Sequence, residues 1–396
     1  MRVSIYQEPA GAGIGGSELV VAAMAAALRE RHTVRVLHHH QALTRARLEA
    51  FSGCELDGVE LRQLPPVTEG WFPAGASVRG LRAGYRAWKA EAVRGCDLFV
   101  TSTHNLPPFC PDVPGVLYVL FPGPDRAKFW PWNAPPARGL GAVKQRVVRL
   151  LHDRMWRERF AGYPVRLADS QFSADWTQHY WGVAADVLYP PVVLPERAAA
   201  AKQNRIVVLG RFAPNKRQAD LVRLFRERVV LRLPEWELVC VGSVGTSEPD
   251  RAYFEHARAE AGGAPVRFVT DATREQLAAE LAAAKLFWHA TGLGVDARAD
   301  PFAVEHFGIA TVEAMAAGCV PLVPDRGGQP EIVRHGTDGF LCGGVSELGD
   351  RAIELAGDEL LRERLARSAR ARAEEFGRER FVSRFRALLR PLTGDS

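Results

Sequence analysis

The chain has 396 residues, of which 47% are hydrophobic and 24% are charged. This balance excludes wholesale disorder, and the length allows two or three domains with cores of their own. The formal net charge is +5, and the excess lies in residues 1–190, which carry 22 Lys and Arg against 17 Asp and Glu. So mild an excess argues against a nucleic-acid partner but is compatible with a surface that meets anionic lipid.

The six cysteines show no C-x-x-C spacing, which argues against a disulfide framework and against a zinc ribbon. No signal-peptide pattern precedes the first strand-like run, and no stretch of about 18 apolar residues occurs. We therefore expect a cytoplasmic protein, with a peripheral position at the inner face of the cell membrane as a further option.

Short β-branched runs alternate with longer runs rich in Ala, Leu and Arg. This alternation predicts an α/β fold of parallel sheets covered on both faces. In the first half, strands are predicted at 2–8, 33–38, 97–102, 115–120 and 165–169. Helices are predicted there at 16–31, 41–50, 76–94, 140–160 and 173–181.

A polar, Ala-rich segment at 195–204 separates this half from a second series of elements. The strands of that series are predicted at 206–210, 237–241, 266–269, 286–289, 320–323 and 340–341. We predict two doubly wound, Rossmann-like domains that face each other, with the active site in the cleft between them.

The first strand leads into a glycine-rich segment, Gly11-Ala-Gly-Ile-Gly15-Gly16-Ser-Glu18. Glycines let a ligand approach the backbone, and the start of the next helix suits a phosphate. The segment contains G-x-G-x-x-G, but the second strand ends in three histidines, 38–40, and not in the acid that would bind a ribose. We favour a loop that contacts another ligand over a dinucleotide loop or a structural turn. The histidines do not predict a metal site, because successive strand residues point to opposite faces.

Two cations follow the first strand of the second half, Arg211 and Lys216 in Gly210-Arg-Phe-Ala-Pro-Asn-Lys. A guanidinium fork and an ammonium at this spacing can hold a diphosphate from two sides. Taken alone, the stretch is equally compatible with a solvated basic loop.

The strongest signal is Glu305-His-Phe-Gly-Ile-Ala-Thr-Val-Glu313. A helix is predicted from near Gly308 to Gly318, so that Glu305 precedes it and Glu313 lies about a turn and a half inside it. A diphosphate on the helix start would lie between two carboxylates that bind hydroxyls at either end of the molecule. This layout suits a nucleoside diphosphate sugar.

The chain resembles the retaining glycosyltransferases of family 4 over essentially its whole length. The motifs that carry the resemblance are Gly-Gly-x-Glu at 15–18, Ala-Asp-Ser-x-Phe-Ser at 168–173, Tyr-Pro-Pro-Val at 189–192, Gly-Arg…Lys at 210–216 and E-x7-E at 305–313. The Glu-His-Phe-Gly-Ile form is similar to the α-1,2-mannosyltransferases of asparagine-linked glycosylation and their bacterial relatives. The resemblance implies the GT-B fold, with an acceptor-side domain at 1–194, a donor domain at 195–375 and a helix at 376–396 that crosses back to the first domain.

The resemblance also implies residue roles. Arg211 and Lys216 would hold the donor diphosphate and stabilise the leaving group. Glu305 would bind donor-sugar hydroxyls near the reacting face, and Glu313 would bind the ribose hydroxyls. The further donor-binding positions are Gly15, Gly16, Gly210, Phe307, Gly308 and Ile309.

Two departures from the family pattern stand out. The histidine of a Tyr-Val-His-Tyr-Pro type segment is replaced here by Leu120, and His104 is the candidate to take its place as a catalytic, acceptor-side or donor-hydroxyl contact. The loop 291–304 is unusually long for a βα connection, which favours a lid or an acceptor contact.

The implied reaction moves a hexosyl group from a GDP- or UDP-linked sugar to a glycan, glycolipid or small-molecule hydroxyl, with retention; the family favours mannose on GDP. We expect no metal and no cofactor, because no convincing D-x-D site occurs. The alternatives are a GT-B nucleotide-sugar epimerase and an NAD(P)-dependent oxidoreductase. The basic, amphipathic segment 140–160 is compatible with a helix that lies on an anionic membrane, and equally with an ordinary surface helix. Contact with a membrane would be compatible with a lipid-linked acceptor.

Overall fold

The computed structural model describes residues 1–8, 15–40, 43–64, 94–108, 113–123, 125–128, 135–194 and 201–394. The chain divides into two compact units, one of Met1–Pro191 with Glu379–Ser396 and one of Val192–Arg378. The sequence predicts the domain boundaries at 195 and 376, whereas the division in the structure falls at 192 and 379. Residues 76–93 of the predicted helix at 76–94 and the glycine-rich residues 11–14 lie outside the described residues, and the predicted cleft between the domains stays a prediction.

The first unit is built on a seven-stranded parallel sheet in the order β3-β2-β1-β4-β5-β6-β7. Its strands are β1 (Arg2–Gln7), β2 (Thr33–His38), β3 (Glu60–Gln63), β4 (Leu98–Thr103), β5 (Gly115–Val119), β6 (Val165–Ala168) and β7 (Asp186–Val187). The described helices of this half are α1 (Gly16–Leu28), α2 (Arg45–Ser52), α3 (Leu140–Ala161) and α4 (Gln171–Trp181).

The second unit contains a six-stranded parallel sheet in the order β10-β9-β8-β11-β12-β13. Its strands are β8 (Gln203–Leu209), β9 (Glu237–Gly242), β10 (Val266–Thr270), β11 (Ala284–Trp288), β12 (Val320–Pro324) and β13 (Phe340–Cys342). Its helices are α5 (Gln218–Leu224), α6 (Glu248–Ala259), α7 (Arg274–Ala283), α8 (Ile309–Ala316), α9 (Gln329–Ile332), α10 (Val345–Gly357) and α11 (Glu359–Ala373). Two parallel sheets with helices confirm the predicted α/β class.

The last helix, α12 (Arg378–Thr393), completes the core of the first unit. Phe381, Phe385 and Leu389 are spaced by four residues, which puts them on one face of the helix. All three are buried, and the rings of Phe381 and Phe385 stack with centroids 5.7 Å apart. The apolar core of a unit that begins at Met1 therefore depends on side chains near position 385.

Each sheet has one pair of neighbouring strands at which the chain order changes direction: β1 beside β4, and β8 beside β11. In open parallel sheets, ligands bind at the carboxyl ends of the strands at such a point. Glu8 follows β1 and His104 follows β4, while Gly210 follows β8 and His289 follows β11. The topology thus predicts one functional site in each unit, at the carboxyl ends of the β1–β4 pair and of the β8–β11 pair.

Two strands were missed by the sequence analysis, β3 and β7. Both lie at the edges of the first sheet, where each pairs with a single neighbour. Strand β3 contains one apolar residue and β7 is two residues long, so neither carries a hydrophobic pattern. None of the helices in the described ranges has both the length and the apolar character that crossing a membrane requires.

We expect Phe385→Ala to destabilise the first unit by about 3–5 kcal/mol, the usual cost of deleting a buried phenylalanine ring. Urea unfolding followed by tryptophan fluorescence measures the change. Leu360→Ala is the control, because Leu360 is 81% exposed on α11 and should shift stability by less than about 0.5 kcal/mol. Equal effects of the two substitutions would contradict the role of α12 in the core.

Candidate active site

Lys216 lies at the carboxyl end of β8 on a tightly fixed loop. The loop begins at Gly210, whose φ of 153° favours glycine, and ends in a short 3₁₀ turn at Pro214–Lys216. The buried amide of Gln218 donates from Nε2 to the Arg211 carbonyl at 2.9 Å and to the Gly210 carbonyl at 3.3 Å. These bonds fix the backbone of the loop and thereby restrict where the Lys216 ammonium can lie.

The Glu305 carboxylate meets two cationic or proton-donating groups. Its Oε2 lies 2.6 Å from Lys216 Nζ and 3.0 Å from His289 Nε2. His289 is buried and follows β11 directly, so the contact is made at the strand pair where the chain order changes. Burial raises the pKa of Glu305, but the Lys216 ammonium and the His289 ring outweigh it and hold that pKa well below 4.5. Glu305 is thus ionised at neutral pH.

A glycine pair after β12, Gly327 and Gly328, lies against the backbone of the Glu305 loop. A Cβ on Gly327 would lie 2.1 Å from the Glu305 carbonyl oxygen, and a Cβ on Gly328 would lie 2.2 Å from that of His306. The Gly328 N–H donates to the Glu305 carbonyl at 2.9 Å. Two backbones can approach this closely only where one of them carries no side chain, so the glycine pair fixes the backbone position of Glu305.

The helix that carries Glu313 starts as the sequence predicts. Gly308 precedes it with a φ of 122°, and a Cβ there would lie 2.5 Å from Gln329 Nε2. Phe307 is buried against Phe376, with ring centroids 5.7 Å apart, so its side chain packs while its backbone leads into the helix. Ile309 is the first residue of α8. The first N–H groups of any helix lack intrahelical partners and can bind an anion.

Glu313 differs from Glu305 in its electrostatic surroundings. Burial raises the pKa of its carboxyl group to about 7, and only the Arg274 guanidinium opposes this shift. The two glutamates of the motif therefore have pKa values on opposite sides of their ordinary value. Such a divergence is typical of carboxylates with different roles in one site.

Arg211 stays apart from these contacts. Its side chain is exposed, and within the described ranges no hydrogen bond holds its guanidinium. Only its backbone carbonyl is fixed, by Gln218. The structure brings Lys216 and Glu305 together, whereas the role of Arg211 stays a prediction.

In the first unit, the carboxylate of Glu8 lies at the carboxyl end of the β1–β4 strand pair. Its Oε2 accepts from the backbone N–H groups of His104 and Asn105, each at 3.2 Å, and from the Thr103 hydroxyl. Its Oε1 accepts from Asn105 Nδ2 at 3.1 Å. Burial raises the pKa of Glu8, while these donors partly oppose the shift. The His104 side chain is exposed and Leu120 is buried in the core. That His104 takes the place of the family histidine, whose position is Leu120, stays a prediction.

Glu18 fixes the start of α1. Its Oε2 accepts from the Gly15 N–H at 2.7 Å and from the Ser17 hydroxyl at 2.8 Å, and its Oε1 accepts from Gln7 Nε2 at 2.6 Å. The Gly-Gly-x-Glu motif is therefore a helix cap built on a buried carboxylate. The predicted ligand contacts of Gly15 and Gly16 stay predictions.

The long loop 291–304 is anchored at its first half. Arg217 donates to the Leu293 carbonyl and Arg326 donates to the Val295 carbonyl. Leu293 and Val304 are buried, whereas residues 298–300 are exposed. The lid or acceptor contact expected of this loop stays a prediction.

The sequence analysis missed three of these side chains, His289, Glu8 and Glu18. The first two were placed at the ends of predicted strands, and that position is the signal that could have found them. Glu18 belongs to the Gly-Gly-x-Glu motif, and the motif alone assigns it no role.

Residues 194–372 match the family model of glycosyl transferases group 1. N-acetyl-alpha-D-glucosaminyl L-malate synthase of Bacillus anthracis is 40% identical over 88 residues, which are 21% of this chain and 23% of that protein. GDP-Man:Man(3)GlcNAc(2)-PP-Dol alpha-1,2-mannosyltransferase of Candida glabrata is 27% identical over 175 residues, which are 40% of this chain and 32% of that protein. The chain thus spans a third or less of the length of these curated relatives.

The solved structure of Anabaena HepE in complex with UDP is 18% identical, with a TM-score of 0.68, and covers 99% of this chain and 100% of its own. This likeness confirms the predicted GT-B fold class. The family match confirms the predicted resemblance to glycosyltransferases of family 4 over residues 194–372.

The raised pKa of Glu313 predicts a pH-dependent stability. Between pH 4.5 and about 7 the folded state retains a proton that the unfolded state has released, so the free energy of unfolding falls as pH rises through this window. The loss from this group is up to about 3 kcal/mol, and it is absent from Glu313→Gln. Urea unfolding of both proteins across this window measures the difference. Parallel stability curves would contradict the shift.

Proposed function

We propose, from the match of residues 194–372 to the family model of glycosyl transferases group 1, that the chain transfers a hexosyl group from a nucleoside diphosphate sugar to an acceptor hydroxyl, with retention. The observation that carries the proposal is the Glu305 carboxylate, ionised and held by Lys216 and His289 at the β8–β11 strand pair. A fixed anion beside a fixed cation suits a donor with hydroxyls at one end and a diphosphate next to them.

Donor binding would use both partners of this pair. An ionised carboxylate only accepts hydrogen bonds, so Glu305 can bind sugar hydroxyls as an acceptor throughout the neutral pH range. The Lys216 ammonium has three N–H donors, and one of them is directed to Glu305 Oε2. The others can bind diphosphate oxygens, so that one cation bridges the carboxylate and the leaving group.

Charge moves in a defined direction during the transfer. The bond between the anomeric carbon and the diphosphate oxygen breaks, the sugar gains oxocarbenium character, and negative charge grows on the diphosphate. Groups placed where that charge grows stabilise the transition state more than the ground state. Lys216, the exposed Arg211 and the start of α8 are the groups proposed for this role.

The nucleotide end would lie at Glu313. Its carboxyl group, with a pKa of about 7, is partly protonated at neutral pH, so it can both donate to and accept from ribose hydroxyls. The names of the similar proteins point to GDP in one case and UDP in another. Both nucleotides therefore belong in the test.

The direct test incubates the protein with GDP-mannose, UDP-glucose and UDP-N-acetylglucosamine and measures the nucleoside diphosphate released. Release that rises on adding an acceptor hydroxyl, with L-malate and a lipid-linked glycan as the two acceptor classes, identifies a transferase. A changed sugar on an intact donor would identify an epimerase, and an NAD(P)-dependent absorbance change would identify an oxidoreductase. Either of the last two results overturns the proposal.

We expect Lys216→Ala to lower turnover by about 10²-fold or more, the scale for removing one group that stabilises transition-state charge. The measurement is the steady-state rate of nucleoside diphosphate release at saturating donor.

Lys285→Ala is the matched control. Lys285 lies near the amino end of β11, in the same unit, and donates to Asn204 Oδ1 at 2.7 Å. Its loss removes a lysine without touching the carboxyl end of the sheet. A Lys216 variant as active as this control would show that the ammonium does not act on the leaving group.

We also propose that the reaction needs no divalent metal, because Lys216 and the start of α8 would carry the diphosphate charge. Among the described residues, no group of three or more His, Cys, Asp or Glu side chains is arranged to hold a metal ion. Turnover should therefore be unchanged after dialysis against EDTA. Loss of activity that Mg²⁺ or Mn²⁺ restores would refute this part of the proposal.

A further inference from the structure

The fully buried residues of helix α3 (Leu140–Ala161) all lie in its last part. Trp156 and Phe160 are buried, and Trp156 Nε1 donates to the Trp181 carbonyl at 2.9 Å. Arg159 is also buried and donates to the Pro107 carbonyl at 2.5 Å. These residues define the inner face of the helix.

The first half of α3 exposes a row of large apolar side chains. They are between 51% and 90% exposed and make up half of the exposed large hydrophobic residues in the described part of the chain: Leu140, Val143, Val147, Leu150 and Leu151. We name these five residues the α3 stripe. Single exposed apolar residues need no explanation, but a row of them on one element marks an interaction surface.

The α3 stripe points away from the first unit. At about 100° per residue, its five members fall within an arc of about 100° on the helix surface. The centre of that arc lies about 150° from the direction of Trp156 and Phe160. The helix therefore has two apolar faces, one packed on its own unit and one directed outward.

Cations border the α3 stripe on both sides. Lys144 lies at one edge, and Arg146 and Arg157 lie at the other, all of them exposed. Residues 140–152 contain three basic residues and no Asp or Glu. Long basic side chains beside an apolar strip can keep their charges in a lipid headgroup layer while the strip enters the acyl boundary.

We propose that the α3 stripe docks the protein on an anionic lipid surface, with α3 lying in the plane of the membrane interface. Charge complementarity selects this occupant. A second copy of the chain would bring the same acid-free, basic segment against itself, which like-charge repulsion opposes, whereas anionic lipids neutralise it. The inference depends on α3 alone and not on the proposed reaction.

The test uses the full chain and two kinds of vesicle, phosphatidylcholine alone and phosphatidylcholine with about 30 mol% phosphatidylglycerol, to supply the anionic surface. We expect at least about 10-fold stronger partitioning onto the anionic vesicles, weakened by salt because screening shortens the reach of the cations. Co-sedimentation measures the bound fraction as a function of lipid concentration.

Two double variants separate the apolar and the basic contributions. Leu150→Glu with Leu151→Glu, and Lys144→Glu with Arg146→Glu, should each lower partitioning by at least about 10-fold. The matched control is Leu231→Glu with Leu360→Glu, which places the same charges on residues 74% and 81% exposed in the second unit. All of these positions are exposed, so thermal unfolding should be unchanged, and circular dichroism checks this.

Several outcomes would overturn the proposal. They are equal binding to both kinds of vesicle, no binding to either, and an equal loss of binding in the control. A dimer in solution that the Leu150 and Leu151 variant dissociates, measured by light scattering, would show that a second copy covers the α3 stripe, and it too overturns the proposal.

Discussion

An ionised carboxylate can persist inside a protein only where nearby cations and hydrogen-bond donors outweigh its loss of water. Glu305 meets this condition through Lys216 at 2.6 Å and His289 at 3.0 Å, and these three residues come from three separate segments of the second unit. Because the contacts are short, the loops after β8 and β11 and the loop before α8 must keep their positions together. The β8–β11 strand pair, the glycine pair behind Glu305 and the Gln218 bonds all serve that requirement.

The same arrangement distributes charge unevenly along the candidate site. Glu305 has a pKa well below 4.5, while Glu313, eight residues later, has one of about 7. One helix start thus has an anion before it and a partly protonated carboxyl group inside it. This asymmetry would give the proposed donor a preferred direction, since a diphosphate and a ribose need different neighbours.

The sequence predicted where the motif residues of the second unit lie, because short motifs fix their place relative to a strand end or a helix start, whereas the roles of these residues stay predictions. Glu305, Gly308 and Lys216 are such cases. The position of His289 at the end of a predicted strand was a usable signal, but its contact with Glu305 was not predictable, because the two residues are 16 positions apart and only the fold brings them together. The edge strands β3 and β7 lacked an apolar pattern, and the pKa of Glu313 depends on burial that no motif encodes. For α3, amphipathicity was visible, but only packing distinguishes the inner apolar face from the outer one.

The contribution of α12 to the first core has a consequence for biosynthesis. Phe381, Phe385 and Leu389 are translated nearly 200 residues after Pro191, where the first unit is interrupted. At about 5–20 residues per second, the ribosome needs roughly 10–40 s to synthesise the intervening segment. During that interval the nascent amino-terminal sheet lacks three apolar side chains of its core. The first unit therefore cannot complete its core until the whole of the second unit, which ends at Arg378, has been synthesised.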